Sequence, residues 1–158
     1  MRLSLLLAAL VVTGPVMTTG PFDIPLFNTP RTPTAAGAAQ LVYASSPFGI
    51  AVTADGRASY DVQVTASGLP EPTSLGDFHA FVAWEVSTDL AHWHRLGAIS
   101  NGNSKVGRAE MNKFLFVITA ERDGSTTEHS GPTVLHGTSP SGWLQTFLSH
   151  PLFRGIPP

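Results

Sequence analysis

Six histidines are the only side chains of this 158-residue chain that could assemble a reaction centre. His92 and His94 flank Trp93, and a His-x-His on a strand sets both imidazoles on one face, within reach of one metal ion. Such a site needs a third ligand. If a loop from Ser87 to His92 joins two antiparallel strands, Val86 faces Trp93 and Glu85 faces His94, which makes Glu85 the candidate and Met111 a further one. In that register His79 falls opposite Ser100, about 20 Å along the strand and out of reach. The metal candidates are therefore His92, His94 and Glu85, for copper or zinc. The competing reading leaves His92 in the loop and both rings in solvent, and the spacing favours it. His129, His136 and His150 read as solvated.

No other grouping suggests chemistry. No serine sits in a Gly-x-Ser-x-Gly setting, and Gly76 and Gly97 read as turn glycines rather than phosphate cradles. Asp61 and Glu85 project from separate strands. Glu110, Glu121, Asp123 and Glu128 lack the alternating oxygen spacing of a calcium loop. The absence of cysteine removes disulfides, thiolate metal sites, thiol nucleophiles and blue-copper centres together. A net charge of −2 without basic runs speaks against nucleic-acid binding. The expectation is a non-enzymatic protein with no catalytic residue and no cofactor.

The elements that would position these residues are β-strands. Asp77–Ser87 and Asn112–Glu121 alternate, with Phe78, Ala80, Val82, Trp84 and Val86 in one and Phe114, Phe116, Ile118 and Ala120 in the other. In the second run Lys113, Leu115, Val117 and Thr119 are also largely apolar, which predicts a central strand covered on both faces. Asp55-Gly56 between Ile50-AVT and Ala58-SYDVQVTAS is a hairpin signal. In that second arm Tyr60, Val62, Val64 and Ala66 form a dry face, and Ser59, Asp61, Gln63 and Thr65 a wet one. Turn signals every eight to twelve residues give seven or eight strands. The predicted fold is an all-β, antiparallel β-sandwich, immunoglobulin-like, with a short C-terminal helix and tail.

The chain divides accordingly. Arg2 followed by about ten apolar residues and Gly14-Pro15 has the layout of a secretory signal peptide over 1–20. That run is shorter than the roughly 20 residues of a membrane span, so membrane attachment is expected only if it stays uncleaved. Residues 21–38, rich in Pro, Gly, Thr and Ala, read as an extended linker or arm, whose Phe22, Ile24, Leu26 and Phe27 could instead dock. The sandwich domain covers 39–138. A short helix capped by Ser141 and a proline-rich tail fill 139–158.

The order of these pieces resembles the extracytoplasmic C-terminal domain of anti-sigma-K factors. The shared elements are Tyr60-DVQVTASGLP, Phe81-VAWEV, Leu96-GAISNG, Phe114-LFVITAE and Ser130-GPTVLHG, over about Leu41 to Gly137. In that family they correspond to a strand ending in Gly-Leu-Pro, an aromatic-x-x-Trp strand, a Leu-Gly turn, a valine-rich Thr-x-Glu strand and a closing Gly-Pro-x-Val-Leu. The family carries a cytoplasmic sigma-binding domain and a membrane span ahead of this module, and only about 40 residues precede it here. The resemblance implies a stand-alone secreted or periplasmic module that contacts an envelope protein, with no direct sigma-factor binding. The alternative is a periplasmic copper or zinc accessory protein using His92 and His94.

Overall fold

In the computed structural model, which describes residues 22–47, 49–54 and 56–140, the chain is made almost entirely of antiparallel strands. They are β1 (Asp23–Asn28), β2 (Ala36–Tyr43), β3 (Ser45–Ser46), β4 (Gly49–Ile50), β5 (Tyr60–Ser67), β6 (Ala80–Ser87), β7 (Trp93–Ile99), β8 (Gly102–Ala109), β9 (Phe114–Glu121) and β10 (Thr133–Thr138). A single 3-10 turn spans Pro72–Leu75. Eight strands form one sheet in the order β7-β6-β9-β10-β1-β2-β5-β8, and its outer strands β7 and β8 contact each other. The sheet is thus nearly closed, and the antiparallel all-β sandwich predicted from alternation is the fold observed. Its connectivity is of the Greek-key kind: β6, β7 and β8 follow one another round the wall, and β9 returns beside β6.

β9 is the central strand that its composition predicts. It pairs with β6 along its whole length and with β10 on its other side. Phe114, Phe116, Ile118 and Ala120 enter the main core, against Phe81 and Ala83 of β6, Val62, Val64 and Ala66 of β5, and Ile24 and Leu26 of β1. Its opposite face adds Val117 and Leu115 to a second cluster with Val82, Trp84, Val86 and Trp93. Each large apolar side chain fully withdrawn from water contributes about 1.5–3 kcal/mol. A strand buried on both faces therefore concentrates that contribution, and β6 and β9 pin the fold. In β5 Val62, Val64 and Ala66 of the dry face are buried and Asp61, Gln63 and Thr65 of the wet face are not, as alternation predicts, whereas Tyr60 is half-buried and Ser59, just before the strand, is buried.

One segment departs from expectation. Residues 21–38, read as an arm outside a domain starting at 39, instead supply β1 and the start of β2. The first half of β1 pairs with β2, from Asp23↔Gln40 to Leu26↔Gly37, and its last two residues pair with β10 through Phe27↔His136 and Asn28↔Leu135. β1 therefore stitches the two halves of the sheet together, with Ile24 and Leu26 in the core. Its proline is tolerated for a positional reason. The β1–β10 pairs are made at Phe27 and Asn28, so the missing amide donor of Pro25 breaks no pair of that ladder.

The Asp55-Gly56 hairpin is also shorter than expected. Only one bridge, Val52↔Ala58, joins its arms, and Gly56 takes a left-handed φ of 81° at the turn. β5 pairs instead with β2 over its full length, which makes the 44–59 stretch an excursion from the wall. The expected signal segment (1–20) and nearly all of the expected helix and tail (139–158) lie outside the described residues. Among the described residues no helix is long and apolar enough to cross a membrane.

Candidate functional site

The β6–β7 hairpin has the register that its loop length predicts next to the loop, with Glu85↔His94 and Val86↔Trp93. Farther along, a bulge between Ala83 and Trp84 takes up one residue of β7. Glu85 is buried to 1% exposure, and its carboxylate is fully engaged. Oε1 accepts the amides of Glu110 (2.9 Å) and Met111 (2.7 Å), while Oε2 lies 3.1 Å from His94 Nδ1. The carboxylate ties the turn between β8 and β9 to β6. His94 is the solvent-facing partner of this pair.

His92 is not part of it. Its amide donates to Ser87 Oγ (2.9 Å) and its carbonyl accepts from the Ser87 amide (3.0 Å), which places it in the β6–β7 loop rather than on the strand. The two-residue alternation that would set His92 and His94 on one face therefore does not apply. Of the three candidate ligands, the structure brings together Glu85 and His94 alone. Met111 contributes its backbone amide to Glu85. Among the described residues no group of three or more His, Asp or Glu side chains could hold a metal ion.

A second buried carboxylate, Glu121, was not singled out by residue spacing. Trp84 Nε1 donates to Thr119 Oγ1 (2.8 Å), and that hydroxyl donates in turn to Glu121 Oε1 (2.6 Å). The same carboxylate accepts the Ser130 amide (3.1 Å), the Ser130 hydroxyl (2.9 Å) and the Gly131 amide (3.2 Å). Burial by itself pushes the Glu121 carboxyl up, but the hydrogen bonds from Thr119, Ser130 and Gly131 outweigh it and hold the group below its usual range. Thr119 and Glu121 lie two apart, hence on one face of β9, and that polar pair on an otherwise apolar face was the available sequence signal.

Above this network the loop after β9 folds over the outer face of the sheet. Arg95 donates to the Gly124 carbonyl, and the His129 ring stacks on Trp93 with centres 3.5 Å apart and planes within 10°. His129 is exposed, as expected, and its ring also packs on Trp93 and lies 6.2 Å from that of Trp84 with planes at 74°. Both carboxylates thus serve as anchors for backbone.

Exposed apolar residues such as Phe27, Val52 and Leu90 stand at separate places, whereas three aromatic rings gather at the mouth of the sandwich where β1 begins. Phe22, Tyr43 and Tyr60 pack against one another, with ring centres 5.3 Å apart for Phe22–Tyr43 and 5.0 Å for Tyr43–Tyr60. Phe22 and Tyr43 nevertheless remain 39% and 43% exposed. Tyr43 lies on the inward face of β2 but past the end of the core, so no opposite wall covers it. Beside these rings opens a cavity of about 80 Å³, lined by Phe22, Leu41, Tyr60, Met111, Asn112, Phe114, Ser139 and Pro140. Ligand sites for drug-sized molecules occupy roughly 300–1,000 Å³, so this cavity suits a single inserted side chain better than a substrate. No protein-family model, curated protein or solved structure matches the chain.

Proposed function

We propose that the chain is a non-enzymatic β-sandwich module, exported from the cell, that acts by contact with another protein of the envelope. The aromatic rim formed by Phe22, Tyr43 and Tyr60 is its contact surface. The observation that carries this reading is the exposure of Phe22 and Tyr43 beside a small open cavity, while the buried carboxylates are consumed by backbone donors. Aromatic side chains of this kind are the usual anchors of protein contacts, since each offers a large apolar area at low entropic cost. The module resembles the extracytoplasmic half of anti-sigma-K factors, which supports a sensory or scaffolding role.

The test is site-specific photo-crosslinking of the full chain in cells. A crosslinker at Phe22 should give a discrete adduct with an envelope protein, and one at Asp61, on the wet face of β5, should not. Equal labelling from both positions would defeat the assignment of the rim, and recovery of the chain only from the cytoplasm would defeat export. A metal-handling role has one observation in its favour, the contact between His94 and the Glu85 carboxylate. Calorimetric titration with copper and zinc decides it. Micromolar binding that a His92→Ala/His94→Ala double variant loses would move it ahead of the contact reading.

A further inference from the structure

The chain has two tyrosines and no cysteine, and the fold sets those two tyrosines directly opposite each other. Tyr43, the last residue of β2, is the register partner of Tyr60, the first residue of β5. Their ring centres lie 5.0 Å apart with planes inclined by 31°. Burial, with a smaller contribution from the neighbouring Tyr43 phenol, holds the Tyr60 phenol above its ordinary pKa. Phenols coupled by oxidation join through their ortho carbons. A direct aryl–aryl bond between those carbons needs ring centres only slightly closer, a side-chain adjustment that leaves the ladder of β2 and β5 in place. Phe22, edge-on to Tyr43, limits the freedom of that ring. Tyr43 is 43% exposed, so an oxidant in solution can reach the pair.

We propose that Tyr43 and Tyr60 form a preorganised site of oxidative cross-linking, giving an intramolecular dityrosine that staples β2 to β5 across the base of the 44–59 excursion. The oxidant is of the haem-peroxidase class, working with hydrogen peroxide. Each phenol loses its hydroxyl proton and one electron, and the two phenoxyl radicals join through an ortho carbon of each ring. The two ortho hydrogens then move to the oxygens as the rings regain aromaticity, restoring both hydroxyls. One hydrogen peroxide takes up the two electrons and two protons and leaves as two waters. In a chain without cysteine this cross-link needs no thiol, and it stands independently of the contact role of the rim.

The test treats the full chain with hydrogen peroxide and a haem peroxidase at low protein concentration, following dityrosine fluorescence and intact mass. The expected product is a monomer lighter by two hydrogens, formed at a rate independent of protein concentration. Because the native pair is already in place, that rate should fall about tenfold or more when the chain is first unfolded in urea. Tyr43→Phe and Tyr60→Phe keep the ring packing, so both should fold, and each should abolish the monomeric product. Dityrosine confined to dimers, or monomeric cross-linking as fast in urea as in the folded chain, would overturn the proposal.

Discussion

Two regions of this sandwich treat their side chains in opposite ways. At the Glu121 corner a carboxylate is taken entirely out of water and surrounded by donors from Thr119, Ser130 and Gly131. At the aromatic rim Phe22 and Tyr43 are left facing solvent although apolar neighbours are at hand. The chemically richer group is the silent one. Desolvating a carboxylate is costly unless every lone pair is satisfied, and satisfying them leaves nothing over for a substrate. Apolar surface left in water carries no such constraint and is released when a partner covers it. In this molecule the two buried carboxylates tie loops to the apolar sandwich, while Phe22 and Tyr43 at the rim stay partly in water.

That contrast can be broken by substitution, beginning where the loop backbone meets β9. A Cβ at Gly131 would collide with the carbonyl oxygen of Ala120. Gly131→Ala should therefore cost about 3 kcal/mol, read from urea denaturation, because backbone rather than a flexible side chain stands in the way. Glu121→Ala should cost a similar amount, about 3 kcal/mol, by stranding the buried Thr119 hydroxyl and the partly buried donors of Ser130 and Gly131. It should also loosen the loop that carries His129, visible as faster amide exchange from Asp123 to Gly131. Glu85→Ala strands two backbone amides and should cost about 2 kcal/mol. His94→Ala, which removes only the exposed partner of that pair, should stay within about 1 kcal/mol.

Acid sharpens the same comparison. The Glu121 carboxyl is held below its ordinary value in the folded chain, so its contribution is complete above the unfolded carboxyl pKa of about 4.3. It is lost as the pH falls through the lower folded value. Wild-type stability should fall steeply in that acid window, and Glu121→Gln should flatten the fall while starting from a lower plateau. The smallest effect belongs to the rim. Phe22→Ser should change stability by less than about 1 kcal/mol, since the ring is already partly wet. The same substitution should remove most of a partner contact made there, and a large loss of stability without loss of contact would reverse the roles assigned to the two regions.

Much of the fold was legible because its signals are local. The alternation in Asp77–Ser87 and Asn112–Glu121 marks strands whichever neighbours they acquire, and the apolar second face of Leu115 and Val117 marks β9 as central. The loop from Ser87 to His92 is short enough to set the register of its hairpin, so the opposition of Glu85 and His94 followed from counting. The arm was misread for an equally physical reason. Prolines and small residues dominate 21–38, and nothing in that composition reveals that Ile24 and Leu26 fill a gap between β2 and β10.

The sequence by itself thus determined an all-β sandwich, the central place of β9 and the absence of thiol chemistry, since each depends on residue type and a two-residue repeat, whereas the face of β6 that meets the main core, with Phe81 and Ala83, was not legible. Only the tertiary structure decided which distant strands meet. It placed β1 as the stitch between the halves of the sheet, put Ser130 and Gly131 around Glu121, laid His129 on Trp93, and set Tyr43 against Tyr60. Those neighbours come from separate elements of a Greek-key path, and the closure of the sheet that joins them is cooperative and non-local, written in no single stretch of the chain.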